Sequence, residues 1–166
     1  ELGRACSNLG FLYAEMGYWW RSEILCCWAL NIFEKIESDH GIAHTHNHLG
    51  VLYSRQNVWD LSEIHLTRAC GIWERIGDQH ALISGYSNLG MLYIEIERAQ
   101  EIFDCLNKAN ELAKLTGEIF ISGTIQMNIG LGYRQIRDFN EAEAYYKLAE
   151  KTFRDLSYRL GLAQVW

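Results

Sequence analysis

The chain has 166 residues, a net charge of −6 and 49% apolar residues. This composition can form a continuous core and excludes a disordered chain. The acidic balance argues against a nucleic-acid partner, because phosphate binding requires a basic stripe, and no run of 18 apolar residues is available to span a membrane.

A short motif recurs four times at a spacing of about 40 residues. Its copies begin at Asn8, His48, Asn88 and Asn128; each continues with Leu or Ile and then Gly, and a Tyr follows three residues after that Gly. Self-similarity at such a period indicates a stack of similar supersecondary units. Stacked units build grooves that hold partners, so the pattern predicts binding. Motifs for nucleophilic catalysis or phosphate binding are missing, and we expect the chain not to be an enzyme.

The pattern divides the chain into units 1–40, 41–80, 81–120 and 121–160, followed by the start of a fifth unit at 161–166. Each full unit is predicted to form two helices, over roughly its second to sixteenth and nineteenth to thirty-seventh positions. The absence of Pro fits such an all-helical chain. In unit 1, one face of the first helix carries Leu2, Ala5, Cys6, Leu9, Gly10, Leu12, Tyr13 and Met16. Both ends cut across the repeat, so we expect a single domain, 1–166, that is a piece of a longer array.

Turn and core positions also repeat. Gly17 and Asn57 suit left-handed helix ends, and Ser38-Asp39 and Gly77-Asp78 offer capping side chains between units. On the second helices, Ala recurs where a neighbouring helix is expected to approach closely, at Ala29, Ala69, Ala109 and Ala149. The shared position of Trp19, Trp59 and Phe139 predicts core residues. Trp20 and Trp28 lie off this stripe and would form an apolar patch if they are exposed.

These residues resemble the tetratricopeptide repeat (TPR) family. The first half of its signature is matched by Tyr86, Leu89, Gly90 and Tyr93, the second half by Ala142, Tyr146 and Ala149, and Trp166 stands where a fifth unit would carry its tryptophan. The period is longer than the usual 34 residues, and the closing Pro of the family is replaced by Glu34, Glu74, Lys114 and Arg154. Longer variants of this kind are similar to the arrays of kinesin light chain and of bacterial signalling regulators. The resemblance implies an all-α solenoid, a right-handed superhelix of about four two-helix repeats with a concave groove.

In the TPR family this groove is lined by one face of the first helices. The corresponding residues here are Asn8, Phe11, His44, His48, Val51, Arg55, Asn88, Met91, Asn128, Leu131 and Arg134. An asparagine column, with His48 in the second unit, can pair with the backbone of an extended peptide, or it can bond the neighbouring helix. The apolar column at Phe11, Val51, Met91 and Leu131 can bury a partner's side chains, or it can pack between adjacent first helices.

A group of histidines lies in unit 2. His44 and His48 have the helical spacing of metal ligands, yet the sequence places no third ligand, so we predict no metal site and no cofactor. His46 falls in a core position, and His40 shares its repeat position with His80, which predicts a turn residue.

The resulting hypothesis is a cytoplasmic scaffold that binds a protein or peptide, as the recognition or regulatory arm of a larger signalling protein. The five cysteines are interpreted as reduced thiols. The alternative is a regulatory domain that senses a small effector or a metal. A third hypothesis is self-association through open repeat ends, since terminal units normally carry a polar cap.

Overall fold

The computed structural model describes residues 1–163, and the side-chain surroundings of residues 1–157. Over this range the chain is helical throughout, with short turns and no strand. The helices are α1 (Leu2–Glu15), α2 (Trp19–Lys35), α3 (Asp39–Arg55), α4 (Trp59–Ile76), α5 (Gln79–Glu95), α6 (Ala99–Leu115), α7 (Ile119–Gln135) and α8 (Phe139–Ala163). The predicted all-α class and the alternation of two helices per unit are confirmed. No helix within residues 1–163 has the length and apolarity needed to cross a bilayer.

Every turn between two helices contains one residue with a left-handed backbone. These residues recur every 20 positions: Gly17, Glu37, Asn57, Gly77, Glu97, Gly117 and Arg137. The predicted left-handed conformations of Gly17 (φ +78°) and Asn57 (φ +59°) are confirmed. A left-handed residue after the last helical turn reverses the chain within a few residues, which makes successive helices antiparallel neighbours.

Side-chain caps fix where the first helices begin. The Ser38 hydroxyl accepts a hydrogen bond from the amide of Gly41 at 3.3 Å, and the Asp78 carboxylate accepts one from the amide of Ala81 at 3.0 Å. Both caps predicted from the sequence are therefore present. They place the starts of α3 and α5 at positions 39 and 79, about three residues earlier than the helical pattern indicated, because the cap residue directly precedes the helix. His40 consequently lies in the first turn of α3 and not in the connecting turn.

The fold divides into two compact units, Glu1–Asn88 and Leu89–Trp166. From here on, the first and second units are these two, and the 40-residue segments are called repeats. In the first unit α1 packs on α2, α3 packs on α4, and α3 also contacts α1 and α2. In the second unit α7 packs on both α6 and α8. Helix α8 is continuous to Ala163. The end of the predicted fifth unit, with Trp166, lies outside the described residues.

The repeated glycine lies at a tight contact between the two helices of each hairpin. A Cβ atom added at Gly50 would lie 2.5 Å from the Leu66 side chain, and one added at Gly90 would lie 2.4 Å from Leu106. Real Cβ atoms essentially never approach so closely, so the contact requires glycine. The alanine column of the second helices is also confirmed as core, because Ala29, Ala69, Ala109 and Ala149 are all buried.

The aromatic residues that open the second helices are not core. Trp19 is 37% exposed and Phe139 is 64% exposed, while Trp59 is only half-buried. The prediction that these three are core residues was wrong, because they are the first residues of their helices and lie beyond the region where the two helices pack closely. Trp73 is instead the largest fully buried side chain. Trp20 and Trp28 are exposed, so they form apolar surface on α2.

The glycine contact leads to a stability prediction with an internal control. Gly50→Ala should lower the free energy of unfolding by about 1–3 kcal/mol, because the added methyl group overlaps Leu66. Gly71→Ala, within α4, has no atom within 4 Å of the added Cβ, and it should raise stability by about 0.5–1 kcal/mol because alanine favours the helix. Urea denaturation followed by circular dichroism measures both. Equal effects of the two variants would contradict the close helix contact.

Candidate functional site

Most of the predicted groove residues of the first unit gather around one cavity. A cavity of ≈ 450 Å³ lies against the exposed faces of α1, α3 and α5. Its lining includes six of the predicted residues, namely Phe11, His44, His48, Val51, Arg55 and Asn88. The helical spacing that selected these residues from the sequence therefore brings them together in the structure. Whether they bind a partner stays a prediction.

Other side chains complete this cavity. Glu15, Asn47 and Ser84 occupy groove positions of the same helices, whereas Trp73 and Ala81 come from the packed interior. The apolar spacing of Trp73 along α4 is typical of a core residue, and it gave no indication that the side chain would also line a cavity. Its ring meets the ring of His44 edge-on, with 5.2 Å between centroids.

A second cavity of ≈ 400 Å³ adjoins the same histidines. It is lined by Arg4, Ser7, Asn8, Phe33, Ser38, His40, Gly41, His44 and His48. Asn8, the first member of the predicted asparagine column, lies here and not in the larger cavity. His44 and His48 line both cavities and are the residues that the two spaces share.

Hydrogen bonds connect successive first helices along the floor of the site. The Asn88 amide donates to the Asn47 side-chain oxygen at 2.9 Å, and Ser7 Oγ lies 2.9 Å from His48 Nδ1. Both pairs join the seventh position of one repeat to the eighth position of the next. The structural alternative for the column thus holds at Asn88 and His48. Asn88 still has hydrogen-bonding capacity for a partner, since an amide side chain can make up to four hydrogen bonds.

The apolar column likewise combines contacts between first helices with surface that stays accessible. Phe11 packs on the ring of His48 with 4.9 Å between ring centroids, which joins α1 to α3. Val51 is half-buried beside it in the cavity wall. Contact between adjacent first helices is therefore present at Phe11, and the remaining exposed part of these side chains is apolar surface within the cavity.

The charged groups of the cavity are paired with each other. Arg55 Nη2 lies 2.5 Å from a carboxylate oxygen of Glu15, so the two fifteenth positions of successive repeats form an ion pair. Both side chains are about 40% exposed, and such surface pairs contribute little stability. Their pairing balances the two opposite charges in the lining of the cavity.

The histidines of the first unit differ in their surroundings. His46 is buried as predicted, and its Nδ1 lies 2.8 Å from Nδ1 of His65, a partner that sequence reasoning missed. Burial lowers the pKa of His46 to about 4, with further lowering from the nearby His65 and Arg68. Burial and the neighbouring His44 also lower the pKa of His48 to about 4. Among the described residues, no three His, Cys, Asp or Glu side chains converge on a position that could hold a metal ion.

In the second unit the predicted groove residues lie on α5 and α7. Met91, Asn128 and Leu131 are half-buried, and Arg134 is exposed. The repeated positions thus give partly accessible side chains in this unit as well, consistent with a continuing surface pattern along each first helix.

The comparisons with known proteins agree with the helical repeat. Residues 41–115 match the family model described as Tetratricopeptide repeat. The solved structure of BtubC (BKLC) from P. vanneervenii superposes with a TM-score of 0.84 at 20% identity, over 94% of this chain. The present chain spans 65% of the length of that structure. None of the curated proteins matches the sequence. The family match over residues 41–115 and the likeness of the fold to this solved structure support the resemblance to tetratricopeptide repeats that was predicted from the sequence.

The lowered pKa of His48 gives a pH prediction. Unfolded His48 takes up a proton near pH 6.5, but folded His48 does so only near pH 4. Between these two pH values the unfolded state binds more protons than the folded state. The free energy of unfolding is therefore highest above pH 6.5 and falls as the pH is lowered towards 4. His48→Asn introduces the residue found at this position in the other repeats. Between pH 7 and pH 5 the variant should lose about 2 kcal/mol less free energy of unfolding than the wild type. The free energy of unfolding of both proteins is measured in urea at each pH. An equal decrease for the wild type and the variant between pH 7 and pH 5 would contradict this prediction.

Proposed function

We propose that the cavity between the first helices of unit Glu1–Asn88 binds an extended peptide segment of a protein partner. The observation that carries the proposal is the convergence of six predicted groove residues on one cavity. Proteins built from tetratricopeptide repeats generally serve as interaction scaffolds, and the family match at residues 41–115 supports this class of function. We further propose that the domain binds without catalysing a reaction, as a recognition or regulatory arm of a cytoplasmic signalling protein.

The chemistry of the lining supports a peptide with a defined character. Asn47 and Asn88 supply amide groups to an extended backbone, which presents one donor and one acceptor at each non-proline residue. Phe11, Val51 and Trp73 supply apolar surface beside them. The Arg55–Glu15 pair leaves the wall electrically balanced. We therefore expect a peptide that carries no net charge where it crosses the cavity and that offers an apolar side chain. A polyanion is not expected to bind.

The existing bond between Asn47 and Asn88 also supports tight recognition. Because Asn88 is already held by Asn47, its side chain has little rotamer freedom left to lose when a peptide binds. A group that is ordered in advance reduces the entropic cost of association. The same hydrogen bond can therefore serve both the packing of α3 on α5 and the capture of a ligand.

A displayed library of random peptides provides a probe for this proposal. Peptides selected on the wild-type domain should bind Asn88→Ala with an affinity lower by about tenfold, because one or two hydrogen bonds are lost. Asn31→Ala is the matched control, since Asn31 is exposed on α2 away from the cavity. Titration calorimetry measures affinity and circular dichroism measures helicity.

Two outcomes would contradict peptide binding at this cavity. One is the absence of any peptide enriched on the wild type relative to Val51→Glu, which places a charge in the cavity wall. The other is an unchanged affinity for Asn88→Ala together with a lower melting temperature, which would leave Asn88 with a structural role alone.

The sensing alternative is supported by His44 and His48, which line both cavities. An effector that bridges the two spaces would contact both rings. It would raise the melting temperature of the wild type, and the shift would disappear in His44→Ala. A panel of metabolites and Zn²⁺ that leaves the melting temperature unchanged would remove this alternative.

A further inference from the structure

The outward face of helix α2 carries large apolar side chains. Trp20, Ile24 and Trp28 follow one another at steps of four residues, so they lie on one side of the helix. They are 63%, 41% and 61% exposed. Contiguous exposed apolar side chains mark interaction sites, whereas single ones are ordinary features of a surface. The outward face of α2 consists of these three residues and the flanking Arg21 and Lys35.

The exposure of this face follows from its position in the repeat. The equivalent positions of α4 and α6 are exposed as well, at Asp60, Ile64, Arg68, Gln100, Asp104 and Lys108. Helix α4 is preceded in the chain by the hairpin of α1 and α2, so a preceding hairpin does not cover this part of a second helix. Helix α2 differs in its residue types, because five of these six equivalent residues are polar or charged.

Two cations flank the apolar side chains along the helix axis. The Arg21 guanidinium carbon lies 5.3 Å from the ring centroid of Tyr18 and 5.5 Å from that of Trp20, so aromatic rings hold this charge beside the apolar residues. Lys35 is the last residue of α2, and it returns to the same side of the helix about four turns after Trp20. Both cationic side chains are exposed, and neither forms an ion pair with a described residue.

The acidic residues of α2 lie on a different side of the helix. Glu23 accepts a hydrogen bond from the Tyr53 hydroxyl at 2.7 Å, which places it against α3. Glu34 shares its repeat position with Glu74, whose carboxylate accepts a hydrogen bond from Tyr86 of α5. This position of a second helix thus faces the next first helix. The outward face of α2 is therefore locally positive, although the chain has a net charge of −6.

These features select one kind of occupant. An extended peptide finds no backbone partner on α2, because the N–H and C=O groups within a helix bond each other. A second copy that paired through the same face would bring cation against cation in either orientation, and like charges would oppose the pairing. An amphipathic helix with acids on both sides of its apolar residues packs on the face and neutralises both cations.

We propose that the outward face of α2 docks an amphipathic helix of a partner protein, with acidic residues on both sides of an apolar centre. Arg21 and Lys35 are separated by about 21 Å along the helix axis, so the two acids of the partner should lie about four helical turns apart. Ile24 is shorter than the indoles of Trp20 and Trp28, which leaves space between them for one apolar side chain of the partner. This surface is separate from the two cavities beside the first helices.

Helices displayed on a small three-helix bundle, with one outer face randomised, provide the probe. Selection uses the 166-residue chain, and fluorescence anisotropy measures the affinity of each selected helix. These helices should carry Asp or Glu on both sides of an apolar centre, and Trp28→Ser should bind them at least about tenfold more weakly. Ile64→Ser is the matched control, because Ile64 is 58% exposed at the repeat position of Ile24, and it should bind like the wild type. A selection that yields no helix with a preference for the wild type over Trp28→Ser would overturn the proposal.

Further variants separate an acidic helix from other occupants. Arg21→Gln combined with Lys35→Gln should weaken binding about tenfold at low ionic strength and remove its dependence on salt, because both charges that salt screens are gone. Lys114→Gln, exposed on α6, should keep the affinity and the salt dependence of the wild type. An unchanged affinity of the double variant would overturn the proposal. So would sedimentation of the wild type, but not of Trp28→Ser, with phosphatidylcholine vesicles, since it would assign the face to a membrane.

Discussion

The absence of a side chain at one position of each first helix is the constraint on which the structure depends. At Gly10, Gly50, Gly90 and Gly130, an added Cβ would lie between 2.4 and 2.8 Å from a side chain of the second helix. A side chain at any of these positions would therefore overlap a side chain of the second helix, and the contact recurs at the same position of every repeat. Because this contact fixes how the two helices of a hairpin are rotated, it also fixes which residues of the first helix face away from the second helix.

Within the first unit the orientation set by glycine is reinforced at the groove itself. The seventh position of one first helix bonds the eighth position of the next, as Ser7 with His48 and as Asn47 with Asn88. Phe11 on His48 and Arg55 with Glu15 extend the same connection along the helices. The residues best placed to meet a ligand are thus also those that hold α1, α3 and α5 in register. The side chains that line the cavity are therefore already ordered by contacts within the chain, the condition that lowers the entropic cost of binding in a site that takes a ligand.

The sequence predicted the parts of this molecule that depend on local chemistry. Helix identity follows from periodicity, and the left-handed Gly17 and Asn57 and the caps at Ser38 and Asp78 follow from residue type. Properties that depend on contacts between different helices were not predictable. Trp73 belongs to the apolar stripe of α4 and still reaches the cavity, because a helix within an array contacts its own partner and the following hairpin with different parts of one stripe. His46 and His65 meet across α3 and α4, and nothing in their spacing indicated the pair. Trp19 and Phe139 share a repeat position with Trp59, but the first residue of a helix is not enclosed by the packing that buries its middle.

Helix α1 shows why a repeat pattern alone cannot separate core from surface. Leu9 and Leu12 occupy the same repeat positions as Leu49 and Leu52, so periodicity predicts the same environment for all four. The difference arises because α2 covers the second pair, while the first pair is exposed in the described structure. An apolar residue in a repeat protein therefore specifies a preference for contact and not the identity of the contact. When a helix of the adjacent hairpin covers the residue, as α2 covers Leu49 and Leu52, the preference produces a core.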